Sequence, residues 1–391
     1  MKTKGVFILQ NKSVPFFLML MFLSSGFSIA QDQFRLISGE KDTIKSLILN
    51  EEREISVYLP EDYMISSQEY PVIYLLDGRT HFHHVTGAVD YLSDAGITPK
   101  MIVVSIHNVD RNRDFSPIAV ETIPTSGGAD KFLQFLKDEL DPYIDKKFRT
   151  SDFSILIGHS FGGTFVAYTL LTQPNLIDGY IAISPYLQYA DNFLVNKSKE
   201  LLKSNYQHPK YFYMSVGDEP NYFPALDEFS TIVRQQSKEA ITLSYEKMKD
   251  EDHGSIPYLS VYKGLRFIFS DWQLPPEAMN KGLEEIDHHY RTVSKKYGYE
   301  INTPENIINR LGYTYLQKQD ISKAIEVFSE NVKRFPNSGN VYDSLGEAYE
   351  NNNQLELAEQ NYMKAWELGK MNNDRNTPVY KKNLDRMRNR N

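Results

Sequence analysis

Cysteine is absent from the 391-residue sequence. Its absence excludes disulfide bonds, thiolate metal ligands and a thiol that could accept a lipid at a processing site. Proline and glycine, at 18 and 21 residues, are too scarce for a disordered chain, whereas 41% hydrophobic and 24% charged residues are ordinary for a folded soluble protein. The length is sufficient for two or three domains.

A long apolar segment is also missing from the N-terminus. The apolar run there covers residues 14–23, which is short of the roughly 20 residues needed to span a bilayer. It follows three lysines and precedes the small residues Ser28 and Ala30. This order predicts a signal peptide over residues 1–30, cleaved after Ala30, and therefore a periplasmic or secreted protein with no membrane span after cleavage.

Basic residues are fewer than acidic residues. The chain has 43 Lys and Arg against 51 Asp and Glu, and loss of residues 1–30, which hold three lysines and no acid, would change its formal net charge from −8 to −11. Binding of nucleic acid is driven by neutralisation of phosphates, so this balance argues against a nucleic-acid partner.

Residues 31–275 alternate short apolar runs with longer amphipathic stretches. This pattern predicts an α/β domain around a mainly parallel sheet. The predicted strands are 55–59, 72–77, 101–106, 154–158, 180–184, 210–217 and 241–248, and the predicted helices are 84–95, 130–146, 162–171, 225–238 and 259–269.

The chain beyond Pro275 and Pro276 is helical and contains a repeat. Five pairs of matching residues lie 34 residues apart: Leu311 and Leu345, Gly312 and Gly346, Tyr315 and Tyr349, Ala324 and Ala358, and Phe328 and Tyr362. The period and residue types resemble the tetratricopeptide repeat. We expect a helical linker over 276–300 and repeats over 301–391, which either pack against a neighbouring domain or subunit or form a groove for a protein or peptide partner.

The segment SILIGHSFGG, residues 154–163, places Ser160 between an apolar strand and an apolar helix. It fits the pattern Gly-x-Ser-x-Gly, in which a strained turn exposes a serine hydroxyl. Glycines flank the serine because the backbone packs tightly there. Ser160 is therefore the predicted nucleophile, and the N–H of Phe161, at the helix N-terminus, is a predicted oxyanion donor.

A serine hydroxyl needs a general base, and in this kind of fold the order along the chain is serine, acid, histidine. Of the four histidines that follow Ser160, two lie in the predicted linker and His208 leaves no room for an acid before it. His253 remains, in a loop after the last strand. The acid should follow strand 210–217, where both Asp218 and Glu219 are candidates.

Several segments of the chain resemble the esterase branch of the α/β-hydrolases that includes enterochelin esterases, esterase D and feruloyl esterases. The resemblance lies in PVIYLLDG (71–78), VVSIHNVDRNRDFSP, LKDELDPYIDKKFRT, ILIGHSFGG, YIAISP and DHGSIPYLSVYKGLRFIF. It implies the α/β-hydrolase fold and ester hydrolysis by Ser160 and His253. It also implies that the N–H of Arg79 is the second oxyanion donor.

Further polar and aromatic residues flank the predicted site. Arg113 and Tyr186 are candidate substrate-binding residues, although Arg113 could instead pair with the neighbouring Asp114. A cluster of His81, His83 and His84 lacks carboxylates at ligand spacing, so we predict no metal.

These observations predict an exported serine hydrolase that needs no cofactor. Its substrate would be a small-molecule carboxylic ester of siderophore, feruloyl or acetyl type, cleaved through an acyl-enzyme. Two alternatives stay open: an acyltransferase that uses the same residues, and a non-catalytic binding protein that acts through its helical repeats.

Overall fold

The computed structural model describes residues 39–202, 206–237 and 240–389, and the predicted signal peptide over residues 1–30 lies outside them. Within these described residues, eight strands form one sheet in the order β1-β2-β4-β3-β5-β6-β7-β8. Strands β1 and β4 pair antiparallel with β2, and the other neighbours are parallel. The strands are β1 (Glu40–Ser46), β2 (Glu51–Tyr58), β3 (Tyr70–Leu75), β4 (Ile102–Ile106), β5 (Thr150–His159), β6 (Gly179–Ile183), β7 (Lys210–Val216) and β8 (Ile241–Lys247).

Helices cover both faces of this sheet. They are α1 (Gly78–Asp94), α2 (Arg111–Phe115), α3 (Ala129–Phe135), α4 (Asp141–Lys147), α5 (Phe161–Thr172), α6 (Tyr189–Leu201), α7 (Phe223–Gln236) and α8 (Ile256–Ile268), with a π-helical turn, Leu136–Leu140, between α3 and α4. Successive strand residues point to opposite faces. Val72 and Tyr74 of β3 accordingly join the apolar core under α3, α5, α6 and α7, while Ile73 and Leu75 join the core under α1 and α8.

The C-terminal part of the chain is entirely helical. Its helices are α9 (Ala278–Lys281), α10 (Leu283–Tyr297), α11 (Glu305–Gln317), α12 (Ile321–Arg334), α13 (Gly339–Asn351), α14 (Leu355–Asn372) and α15 (Thr377–Arg388). A Cβ on Gly312 would lie 2.4 Å from the Phe328 ring, and one on Gly346 would lie 2.9 Å from the Tyr362 ring. The repeated glycines therefore allow close contact within the pairs α11–α12 and α13–α14.

Helix α10 joins the repeats to the sheet domain. The Tyr297 ring lies 5.4 Å from that of Phe153, at the start of β5, and 5.3 Å from that of Phe269. The same apolar core continues to Ile308 and Leu311 of the first repeat. The predicted fold class, a mainly parallel α/β domain followed by helical repeats, is confirmed.

No helix in the described part of the chain has both the length and the hydropathy required to cross a membrane.

Candidate active site

Ser160 lies at the sharp turn between β5 and α5. Its backbone has φ 57° and ψ −117°, a conformation that is rare for any residue other than glycine. Its N–H donates to the carbonyl of Ile183 at 2.8 Å. A Cβ on Gly158 would lie 2.4 Å from the carbonyl oxygen of Gly162. Backbone contact therefore requires a glycine at position 158, and the turn has the strain expected of a nucleophile elbow.

His253 lies between β8 and α8, in a loop held by Asp252. The Asp252 carboxylate accepts hydrogen bonds from the N–H groups of Gly254 and Ser255, each at 2.8 Å. The His253 ring centroid lies 4.5 Å from that of His159, the residue before Ser160. The structure thus places the predicted base against the residue that precedes the predicted nucleophile, although two regions far apart in the sequence supply them.

Glu219 contacts the imidazole of His253 and Asp218 does not. The Oε1 atom of Glu219 lies 2.5 Å from His253 Nδ1, and its Oε2 accepts hydrogen bonds from Ser184 Oγ at 2.5 Å and from the Gly217 N–H at 3.2 Å. The Glu219 side chain is 10% exposed, whereas Asp218 is exposed at the surface. Of the two candidate acids, the geometry therefore favours Glu219.

Two helix N-termini border the elbow. Phe161 is the first residue of α5, and Arg79 is the second residue of α1, which begins after Asp77 in a left-handed conformation with φ 52°. The first N–H groups of a helix have no partner within the helix and attract negative charge. The backbone of Phe161 and Arg79 thus occupies positions from which an oxyanion can be bound.

Arg111 connects these two N-termini. Its guanidinium donates to both carboxylate oxygens of Asp77, at 2.7 and 3.0 Å, and to the carbonyl of His159 at 3.0 Å. Asp77 is 7% exposed. The buried carboxylate before α1 is therefore paired, and through Arg111 it is linked to His159, the residue before Ser160.

The guanidinium of Arg113 is paired with carboxylates of the protein. Its guanidinium donates to both oxygens of Glu51, at 2.9 and 3.0 Å, and to Asp114 at 2.8 Å. Two carboxylates pair with its guanidinium, which favours the alternative that Arg113 braces the loop, and substrate binding by Arg113 stays a prediction.

An aromatic wall borders Ser160. Tyr186 is 36% exposed, and its N–H donates to the Ser160 carbonyl at 3.3 Å. Its ring lies 6.1 Å from that of Phe161 and 5.8 Å from that of Tyr222, which in turn lies 5.8 Å from the His253 ring. Among the described contacts the hydroxyl of Ser160 has no hydrogen bond with His253, whose Nδ1 is held by Glu219.

Three histidines, one buried and two half-buried, form a row behind the elbow. Nδ1 of His81 lies 2.9 Å from Nε2 of His84, and the His81 ring lies 5.6 Å from that of His159. Burial lowers the pKa of His84 to about 4 and that of His159 to about 3, and it also lowers the pKa of His81. These side chains are neutral imidazoles at neutral pH. The described residues contain no group of three or more potential ligands arranged to hold a metal.

Ser184 and the pairing of Asp77 with Arg111 were not predicted from the sequence. Ser184 follows β6 and has φ 39°, and nothing in its local sequence marks it as a partner of Glu219. Its position at the carboxyl end of a parallel strand, where active-site loops gather, is the only available signal.

The fold and the Ser160 elbow define an α/β-hydrolase. The family model described as Putative esterase matches residues 46–254, so the chain belongs to that family, and it is a carboxylic ester hydrolase. Tetratricopeptide repeat models match residues 306–337 and 339–368.

Similar proteins include two siderophore esterases. The ferri-bacillibactin esterase BesA of Bacillus subtilis is 27% identical over 274 residues, which are 62% of this chain and 91% of the relative. The siderophore triacetylfusarinine C esterase of Aspergillus fumigatus is 24% identical over 250 residues, 54% of this chain and 86% of the relative. The crystal structure of an IroE-like serine hydrolase from Shewanella oneidensis has the same fold, with a TM-score of 0.67, 24% identity, and coverage of 76% of this chain and 99% of that one.

Proposed function

We propose that the protein is a serine esterase that forms an acyl-enzyme on Ser160. His253 is the general base, and Glu219 orients it. The observation that carries the proposal is the contact of the Glu219 carboxylate with His253 Nδ1, because it leaves the other ring nitrogen, Nε2, available to accept a proton. The ring contact of His253 with His159 supports the same assignment, since it holds the base beside the nucleophile.

In the proposed reaction, Ser160 Oγ attacks the ester carbonyl carbon while its proton passes to His253 Nε2. The bond between the carbonyl carbon and the alcohol oxygen then breaks, and the imidazolium returns the proton to the departing alkoxide. Water repeats these steps on the acyl-enzyme and releases the carboxylic acid. The N–H groups of Phe161 and Arg79 bind the oxyanion in both steps.

The proposed substrate is a siderophore-type ester. Two relatives that share most of their length with this chain are esterases of siderophores. The wall of Tyr186 and Tyr222 beside Ser160 supports a substrate with planar or aromatic groups, because such groups stack on exposed rings. Feruloyl and acetyl esters are the competing classes, and an ester panel separates them by kcat/KM.

We further propose that residues 31–275 form the catalytic module, 276–300 a linker, and 301–391 a repeat module that contacts a protein or peptide partner. Helix α10 is anchored on Phe153, seven residues before Ser160 along β5, which corresponds to roughly 23 Å at ~3.3 Å per strand residue. The anchor of the repeats therefore lies at the end of β5 opposite Ser160, which favours a role other than lining the ester site.

We also propose that the protein is exported and that its signal peptide is cleaved after Ala30. Mass spectrometry of the N-terminal peptide of the protein, purified from a culture or periplasmic fraction, tests this proposal.

The decisive experiment is labelling with a fluorophosphonate probe together with hydrolysis of p-nitrophenyl acetate. We expect the wild-type chain to be labelled and Ser160→Ala to lose labelling and about four or more powers of ten in rate, because the residues of a triad act as a unit. An unlabelled wild type, or an active Ser160→Ala variant, contradicts the proposal. Product analysis with an added acceptor alcohol distinguishes hydrolysis from acyl transfer.

A further inference from the structure

The end of β6 contacts both the turn of Ser160 and the turn of Glu219. The carbonyl of Ile183, the last residue of β6, accepts a hydrogen bond from the N–H of Ser160 at 2.8 Å. Ser184 comes next along the chain, and its Oγ donates to Oε2 of Glu219 at 2.5 Å. Two adjacent residues thus connect the elbow with the carboxylate that contacts His253.

The backbone around Ser184 fixes the direction of its hydroxyl. Ser184 is fully buried, and its N–H donates to the carbonyl of Ser215 in β7 at 2.8 Å. Its φ of 39° lies in the left-handed region, which is unfavourable for a residue other than glycine. A Cβ on Gly163 would lie 2.9 Å from the carbonyl oxygen of Ile183, so α5 packs directly on this strand end. Such a conformation persists only where surrounding contacts hold it, and it is a reason to look for a functional role.

The Ser184 hydroxyl is the shorter of two contacts to the second oxygen of Glu219. The other is the N–H of Gly217, at 3.2 Å. Gly217 belongs to the same turn as Glu219, so its N–H cannot fix the carboxylate relative to the elbow. A hydrogen bond to an ionised carboxylate is also roughly twice as strong as one between neutral groups. Loss of the hydroxyl should therefore free the carboxylate to rotate.

We propose, on the basis of the proposed serine-esterase function, that Ser184 is a positioning residue that couples the acid to the nucleophile turn. Its hydroxyl holds the Glu219 carboxylate in the orientation in which Oε1 meets Nδ1 of His253. The same strand end holds the backbone of Ser160, so β6 sets the position of the base relative to the nucleophile. Ser184 itself neither gives nor takes a proton in the reaction.

The test compares Ser184→Ala with wild type and with a matched control, Ser260→Ala. The hydroxyl of Ser260 is equally buried, but its partner is the hydroxyl of Ser215 at 2.7 Å. We expect Ser184→Ala to lower kcat for p-nitrophenyl acetate by about 10- to 100-fold, the value of one hydrogen bond to a charged group. The rate constant for fluorophosphonate labelling should fall by a similar factor, while KM changes by less than about 2-fold. Ser260→Ala should leave kcat and labelling unchanged even if its melting temperature falls.

Two further variants separate an effect through the acid from a general disturbance of the fold. In a Glu219→Gln background, Ser184→Ala should lower kcat by less than about 3-fold more, because the hydroxyl acts through the carboxylate. Ser184→Gly removes the same hydroxyl, and glycine adopts the left-handed conformation without strain. It should therefore show the loss of kcat even where the alanine variant folds poorly.

Three results would overturn the inference. They are a wild-type kcat in folded Ser184→Ala or Ser184→Gly, a loss confined to KM, and a loss of full size in the Glu219→Gln background, which would mean that Ser184 acts independently of the acid. These outcomes are read in an enzyme that is labelled and depends on Ser160. An unlabelled wild type would instead reject the proposed function itself, and the inference with it.

Discussion

The Oε1 atom of Glu219 lies 2.5 Å from Nδ1 of His253, across 34 residues of sequence. The second oxygen of the same carboxylate is held by Ser184 Oγ and the N–H of Gly217. Both oxygens are therefore engaged, and the carboxylate has little freedom to rotate. Such a group fixes the tautomer of the imidazole and stabilises the imidazolium that forms during attack.

Replacement of this acid should be costly, whereas replacement of its neighbour should not. We expect Glu219→Gln to lower kcat for a p-nitrophenyl ester by about 10³- to 10⁴-fold, because the amide favours the wrong tautomer of His253. Asp218→Asn, at an exposed position of the same turn, should stay within about 2-fold of wild type, in line with a surface substitution. Equal effects of the two substitutions would contradict the assignment of the acid.

The buried histidine row should make stability depend on pH. In the unfolded chain, each histidine becomes protonated as the pH falls below about 6.5. In the folded chain burial lowers the pKa of His84 to about 4 and that of His159 to about 3. The stability contributed by neutral imidazoles is therefore complete above about pH 6.5 and is lost as the pH falls toward 4, by up to about 1.4 kcal/mol per pH unit for each histidine.

This dependence can be measured as the free energy of unfolding in urea at several values between pH 7.5 and 4.5. His84→Gln should make the free energy of unfolding depend less steeply on pH below about pH 6.5, whatever the substitution does to that free energy at pH 7.5. His83→Gln removes an exposed histidine from the neighbouring position of α1 and should leave the slope as in wild type. A slope that does not respond to His84→Gln would show that protonation of this row does not limit acid stability.

The local sequence was sufficient to predict the parts of the fold that depend on local pattern. All seven predicted strands form, because β-branched and aromatic runs between turns bury well in a sheet covered on both faces. Strand β1 was missed because its sequence, EKDTIKS, is largely polar and only alternate residues near its end are buried. Helix α6 was missed because its start is irregular, with positive φ at Ala190, Asp191 and Asn192.

Some features of the candidate site follow from the local sequence, and others depend on tertiary contacts. The turn around Ser160 is encoded by adjacent residues, so its strain and its close glycine contacts follow from the motif. The choice between Asp218 and Glu219 is not local, because the direction of each side chain depends on where β6 and the His253 loop lie. The contacts of Ser184 with Glu219, of the Tyr222 ring with the His253 ring, and of Arg111 with His159 likewise depend on tertiary contacts between segments that the sequence pattern does not connect.

Gly158 should not tolerate a methyl group. In Gly158→Ala the new Cβ would lie 2.4 Å from the carbonyl oxygen of Gly162 and 3.0 Å from the N–H nitrogen of Gly163, both backbone atoms that cannot swing away. We expect poor yield of folded protein, or a folded variant with activity lower by about 10²-fold or more, because a displacement of about 1 Å at the reacting atom has that effect. Circular dichroism and p-nitrophenyl acetate hydrolysis measure the two outcomes.

Gly87→Ala provides the matched control for this substitution. Gly87 is in the interior of α1, and a Cβ there would meet no atom within 4 Å. Alanine is favoured over glycine in a helix by about 1 kcal/mol, so this variant should be at least as stable as wild type and fully active. Full activity of Gly158→Ala would contradict the view that backbone contact requires a glycine before the nucleophile.

The contact between the repeats and the sheet domain should contribute strongly to stability without affecting the chemistry. Tyr297 is buried between Phe153 and Phe269, and its hydroxyl donates to the carbonyl of Ile268 at 2.9 Å. Tyr297→Ala leaves a cavity in this cluster and should lower the free energy of unfolding by about 3 to 5 kcal/mol. Tyr91→Ala, at an exposed site on α1, should change it by less than about 0.5 kcal/mol.

Activity at 25 °C then separates a structural role of the repeats from a catalytic one. Ser160 directly follows the last residue of β5 and lies seven residues after Phe153, so a cavity beside Phe153 lies at the opposite end of the strand from the proposed nucleophile. The fraction of Tyr297→Ala that remains folded, measured by titration with a fluorophosphonate probe, should hydrolyse p-nitrophenyl acetate with the wild-type kcat. A lower kcat per labelled site would instead mean that the docking of α10 is transmitted along the sheet to the elbow, and the repeats would then have to be counted among the determinants of catalysis.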